Sequence, residues 1–193
     1  MNRRTALIIT GLALALGAVL LLRAPFVWPG YHTGYQPAQP IAFSHRLHSG
    51  QMQIPCEYCH SSADSGPEAG IPSADTCLTC HAQVKAVSGS DQPSAEIAKL
   101  DAAMADGSPI QWVRVYRLPD HVRFDHSRHV LTGVTCQSCH GPVETMEEVR
   151  QHGNLSMGWC INCHRDWERD PPSTYHPLQG AAGPSNDCSA CHH

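Results

Sequence analysis

The stretch CEYCH, from Cys56 to His60, decides how the whole chain is read, because it returns four more times. CLTCH runs from Cys77 to His81, CQSCH from Cys136 to His140, CINCH from Cys160 to His164 and CSACH from Cys188 to His192. These pentads use all 10 cysteines. Two thiols three residues apart can add to the two vinyl groups of one haem, and the histidine that follows can swing beneath the ring to bind iron. Each pentad is therefore read as the anchor of one haem c. Cys56, Cys59, Cys77, Cys80, Cys136, Cys139, Cys160, Cys163, Cys188 and Cys191 form the thioether bonds, and His60, His81, His140, His164 and His192 are the proximal ligands.

The rival uses of paired cysteines fit less well. Zinc sites join two CxxC units into one tetrahedron, and five units do not pair off. A redox-active CxxC needs no following histidine, and one such pair would suffice. With 14 His in 193 residues, chance placement of His after all five pairs is on the order of one in a million.

Composition agrees with a chain built around cofactors. Aromatic residues make up only 6%, while Gly and Pro number 15 each, and a core of side chains is hard to assemble from that mixture. Covalently held macrocycles are expected to take its place, as staples do in small domains. The formal charge of -4 offers no basic face for phosphates, so nucleic acid is excluded as a partner.

The N-terminus reads MNRRTALIITGLALALGAVLLLR, with Arg3 and Arg4 ahead of an uncharged run from Thr5 to Leu22. Eighteen helical residues span roughly 27 Å, enough for a bilayer's hydrocarbon layer. The arginines hold the N-terminus in the cytoplasm, which places the haem-bearing part in the periplasm or its equivalent. A cleaved signal peptide shares this pattern, but the Ala-x-Ala match at Ala13 to Ala15 lies inside the apolar run, and an uncleaved anchor in membrane lipid is the favoured reading. Phe26, Trp28 and Tyr31 suit an interfacial aromatic belt. The expected organisation is an anchor over residues 1–29, a Gly/Pro/Gln-rich tether over 30–40, and a haem domain over 41–193. That domain divides into a two-haem block (41–85), a connector (86–117) and a three-haem block (118–193).

Upstream of the first pentad stands IAFSHRLHSG, with Phe43, His45 and His48 spaced F-x-H-x-x-H. The arrangement recurs upstream of the third pentad as VRFDHSRHV, with Phe124, His126 and His129, an internal repeat. A haem iron held by one histidine needs a second ligand from elsewhere in the chain, and neutral imidazole suits it. Two histidines three apart on a helical turn cannot both bind the same iron, so one serves the nearby haem and the other a neighbour. The repeats supply four distal ligands. For the fifth the order of preference is Met157, then His176, His152, His121 and His193, with His32 last. A Met ligand would raise that haem's potential.

Between the two blocks, residues 93–105 read as a short helix stopped by Gly107, and QWVRVYR over 111–117 alternates as a strand does. Pro142 can open a further helix carrying Val143, Met146 and Val149. Met104 and Met146 are read as packing residues. The fold class expected is a multihaem cytochrome c, mostly irregular, with a few short helices wrapped around five covalent haems and one N-terminal transmembrane helix.

The run QPIAFSHRLHSG, then IPCEYCHSSADSGPEAGIPSADTCLTCH, IQWVRVYRLPDHVRFDHSRHV and LSMGWCINCHR resembles the pentahaem membrane-anchored cytochrome c subunit of alternative complex III. The resemblance covers Gln36 to Arg165 and loosens from Asp166 to His193. It implies an electron-transfer subunit working beside integral membrane quinol-oxidising subunits and an iron-sulfur subunit, and passing electrons to a periplasmic monohaem cytochrome c or a terminal oxidase. It also implies that His45, His48, His126 and His129 are distal ligands, with Met157 inside the matching LSMGWC motif. On that reading the chain has no catalytic residues of its own. Two other functions compete. One is an autonomous membrane-anchored multihaem quinol dehydrogenase feeding a periplasmic reductase. The other is a multihaem reductase with an open iron, which complete pentads and a surplus of distal candidates argue against.

Overall fold

The computed structural model describes residues 2–23, 32–86, 89–178 and 183–192. Phe26, Trp28, Tyr31 and His193 lie outside the described residues. Helix α1 (Arg3–Arg23) carries the apolar run. Its window Arg3–Leu20 has a mean hydropathy of 1.6 and none of it is buried, so by length and composition it is long and apolar enough to cross a membrane.

Short helices and loops make up the remainder. In order they are a π-helical turn (Arg46–Gln51), α2 (Cys56–Cys59), α3 (Ala74–His81), α4 (Ala95–Asp106), α5 (His126–Val130), α6 (Cys136–His140), a 3-10 turn (Val143–Thr145), α7 (Met157–Arg169) and α8 (Cys188–Cys191). Every pentad thus lies in or against a helical turn, and residues three apart on such a turn share a face. That places both thiols of each pair on one side.

Apolar burial is slight. Among the described residues only Ala63, Leu100 and Met146 are buried hydrophobics, and Gln151 is the buried polar one. Ordering each residue costs about 1–2 kcal/mol of backbone entropy, and three small contacts cannot offset that for a domain this long. The scarcity of core matches a fold organised around a bulky apolar group.

Helix α4 ends at Gly107, which adopts φ 64°, the left-handed stop expected from sequence. Two other expectations are corrected. Residues 111–117 join no sheet, since the described residues hold only isolated bridges, Ala86 to Pro93 and Val122 to His192. The Gln39 carboxamide takes the place of a neighbouring strand: its Nε2 donates to the Val113 carbonyl at 3.0 Å and its Oε1 accepts from the Val113 amide at 2.9 Å. Beyond Pro142, only the 3-10 turn forms. Met146 leaves the helical region at ψ 128°, and its carbonyl accepts from the Arg46 amide at 2.9 Å, so packing against the π-helical turn wins over helix propagation. A Cβ on Gly50 would overlap the Glu144 carbonyl oxygen, which is why the two turns can approach so closely.

The segment leading from the anchor is docked. Gly34 donates to the Gln151 carbonyl at 2.8 Å and Gln151 donates back to the Tyr35 carbonyl at 2.9 Å. Gln151, only 1% exposed, also donates from Nε2 to the Gly153 carbonyl at 2.8 Å.

Candidate functional site

The two F-x-H-x-x-H copies adopt one geometry. Phe43 stacks on His48 at 4.3 Å and meets His45 edge-on at 4.9 Å. Phe124 stacks on His129 at 4.5 Å and meets His126 edge-on at 4.9 Å. The residue between Phe and the first His does the same double duty in each copy. Ser44 accepts the Leu47 amide on its hydroxyl at 3.0 Å and the His48 Nδ1–H on its carbonyl at 2.9 Å. Asp125 accepts the Ser127 amide on its carboxylate at 2.9 Å and the His129 Nδ1–H on its carbonyl at 2.9 Å. Copy one is a residue longer between its histidines and its pentad. The extra residue is absorbed by the π-helical turn, the usual way a helix accepts a single insertion. Beyond it the copies realign: Ile54 donates to the His48 carbonyl at 3.0 Å and Val134 to the His129 carbonyl at 3.1 Å.

These distal candidates face the pentad histidines in pairs. His48 lies 6.1 Å from His81, His129 6.1 Å from His164, and His126 6.4 Å from His140, measured between ring centroids. His121 stacks 5.6 Å from His192. Two imidazoles on opposite sides of one metal ion, each nitrogen about 2 Å from it, put their ring centroids roughly 6 Å apart. The remaining pentad histidine, His60, acts on His45, whose pKa is pushed down to about 4 by burial and then by His60 and His48. The one buried Nδ1 of the set without a partner is also on His45.

The protonation pattern suits iron ligation. Nδ1–H donates to a backbone carbonyl in His60 (Gly70, 2.7 Å), His81 (Val84, 2.8 Å), His126 (Pro67, 2.8 Å), His164 (Ser185, 2.6 Å) and, at longer range, His192 (His121, 3.3 Å). With His48 and His129, seven of the ten paired imidazoles carry their proton on Nδ1 and leave Nε2 as the free lone pair, the tautomer a metal needs. His140 is pushed down to about 4 by burial, then by His126 and His60, and burial likewise lowers His129. Both are held neutral at physiological pH.

Tyr116 is a supporting residue that the sequence did not single out. Its ring meets His140 edge-on at 4.4 Å, while its hydroxyl accepts from the His152 amide at 2.9 Å and reaches the carbonyls of His140 (3.3 Å) and Arg150 (3.2 Å). The alternating run 111–117 was the available signal, and it pointed to a strand rather than to a buttress. Met157 opens α7 with 69% of its surface exposed. The His152 ring lies against Gly141, the His176 amide donates to the Thr132 carbonyl at 3.0 Å, and His32 packs edge-on against Tyr35. Arg46 is engaged with Glu147.

None of the ten cysteines is paired in a disulfide, and among the described residues no three His, Cys, Asp or Glu side chains converge on an ion-sized site. Paired thiols beside paired imidazoles, around an interior short of side chains, are what a covalently tethered macrocycle with two axial nitrogens requires. A family model described as cytochrome c7 and related cytochrome c matches residues 122–193. The fold is that of a multihaem cytochrome c. Its cofactor is covalent haem c and its activity is electron transfer. The chain is also similar to the menaquinone reductase multihaem cytochrome c subunit of Nitratidesulfovibrio vulgaris strain Hildenborough. The two are 29% identical over 168 residues, 81% of this chain and 78% of the relative.

Proposed function

We propose that this multihaem cytochrome is the electron-relay subunit of a membrane quinone oxidoreductase, of the alternative complex III type. It holds five haems c, each between two imidazoles. The sites, numbered by pentad, are His60 with His45, His81 with His48, His140 with His126, His164 with His129, and His192 with His121. The facing imidazole pairs carry this reading. His121 takes the fifth place ahead of Met157 because its ring already stacks on His192, whereas Met157 points to solvent.

Haem c supplies a one-electron couple at each site. The chain's own residues do the rest. Thiol pairs fix the macrocycle's position, Nδ1–H bonds to carbonyls fix ring tautomer and orientation, and Phe43 and Phe124 hold the distal rings face-on. An imidazole on both sides leaves no ligand position open, which favours a carrier over a substrate-reducing enzyme.

Helix α1 anchors the chain with its N-terminus inside and the haem domain in the periplasm. The partners are integral membrane quinone-reacting subunits, an iron-sulfur subunit, and a soluble cytochrome or terminal oxidase. Support comes from the N. vulgaris relative, a subunit of a menaquinone reductase, and from α1, the one apolar span among the described residues, which cannot enclose a quinone by itself. The test is anaerobic addition of a reduced quinol analogue, followed by haem absorption. The purified chain should stay oxidised, and the mild-detergent membrane complex should reduce. Rapid reduction of the isolated chain would instead show an autonomous quinol dehydrogenase.

A further inference from the structure

The order of the sites in space differs from their order along the chain. Resting on the five-site reading above, we propose that the sites form one unbranched row in the order 2–1–3–4–5. The second and fifth sites are then the ends, and the first lies inside.

Four junctions build the row. Sites 2 and 1 share the first repeat, since His48 faces His81 while His45 belongs with His60 one turn earlier. Sites 3 and 4 share the second repeat in the same way, through His126 and His129 on α5. Sites 1 and 3 meet at a seam between the repeats. The loop that follows His60 offers its Pro67 carbonyl to both the amide (3.2 Å) and the Nδ1–H (2.8 Å) of His126, and its Gly66 carbonyl to the Ser127 amide (3.1 Å). Sites 4 and 5 meet where His164 Nδ1–H donates to the carbonyl of Ser185, three residues before Cys188. The Arg123 amide donating to the Cys191 carbonyl at 2.8 Å holds the fifth pentad beside the lead-in to α5.

Partners that deliver and remove electrons are therefore expected at His48/His81 and His121/His192, that is at the second and fifth pentads, and not at the first, which the row encloses.

Iron-edge anomalous scattering from crystals of the haem-loaded full chain locates the irons. The expected result is a row in which irons 2 and 5 each have one near neighbour and irons 1, 3 and 4 each have two. An iron with three near neighbours, or iron 2 closer to iron 3 than to iron 1, overturns the order. In solution, His48→Met should raise the midpoint of its own haem and shift that of one other, whereas His45→Met should shift two others. The reverse pattern also overturns the order. A variant with no change in the ligand-sensitive spectrum of any haem would contradict the ligand assignments themselves, which is a separate failure.

Discussion

Copy one of the repeat (Phe43 to Cys59) and copy two (Phe124 to Cys139) reach the same ring geometry by different backbone routes. Copy one has an extra residue, taken up as a π-helical turn, and passes through the left-handed region at Gln53, φ 55°. Copy two has an α-helical turn and makes the same left-handed step at Gly133, φ 89°. Gln53 and Gly133 each stand three residues before their first cysteine. Ring stacking agrees between copies within a few tenths of an ångström, so the positions of the histidines relative to the pentad are what the fold preserves, and the backbone adjusts to keep them.

The sharpest way to break this equivalence is to remove a haem from each copy. Cys136→Ser with Cys139→Ser should lower the intact mass by one haem and abolish most folded holoprotein, because so few apolar side chains are buried. Cys56→Ser with Cys59→Ser should do the same to the same extent. Recovery of well-folded protein from one double variant alone would show that the copies are not equivalent halves.

A smaller effect with opposite signs is expected at the left-handed step. A Cβ on Gly133 meets both a positive φ and the Thr174 carbonyl oxygen, so Gly133→Ala should destabilise by about 1–3 kcal/mol. Gln53→Gly relieves a strained non-glycine residue and should stay within about 1 kcal/mol of the parent, on the stabilising side. Denaturant unfolding followed by haem absorption reads both. Equal losses at the two positions would mean that the copies do not share this turn.

The smallest effect concerns the residue between Phe and His. Ser44→Ala and Asp125→Ala each remove a side-chain acceptor from the first turn, at a cost of about 1 kcal/mol. The carbonyl that receives Nδ1–H is untouched in both, so haem spectra should be unchanged. A spectral change in either would show that the side chain helps to orient the ligand.

Much of this was legible from residue order alone. The pentads and the F-x-H-x-x-H copies are local patterns, and their chemistry dictates their spacing. Which histidine faces which pentad was not legible, because it depends on tertiary contacts such as His126 to Pro67, made between residues far apart in sequence. Nothing in the residue order marks His121 out among the candidates for the fifth distal place; its stacking on His192 is a tertiary contact. The run 111–117 misled because alternation marks an extended segment without saying what pairs with it. Here a glutamine side chain does so rather than a strand.

The central claim is that every haem sits between two imidazoles. Near-infrared magnetic circular dichroism of the oxidised, full-length holoprotein, normalised to covalent haem content by intact mass, tests it most directly. The account predicts five haems per chain and bis-imidazole charge-transfer intensity accounting for all of them. A histidine–methionine band carrying about one fifth of the intensity would contradict it and return Met157 to the fifth iron.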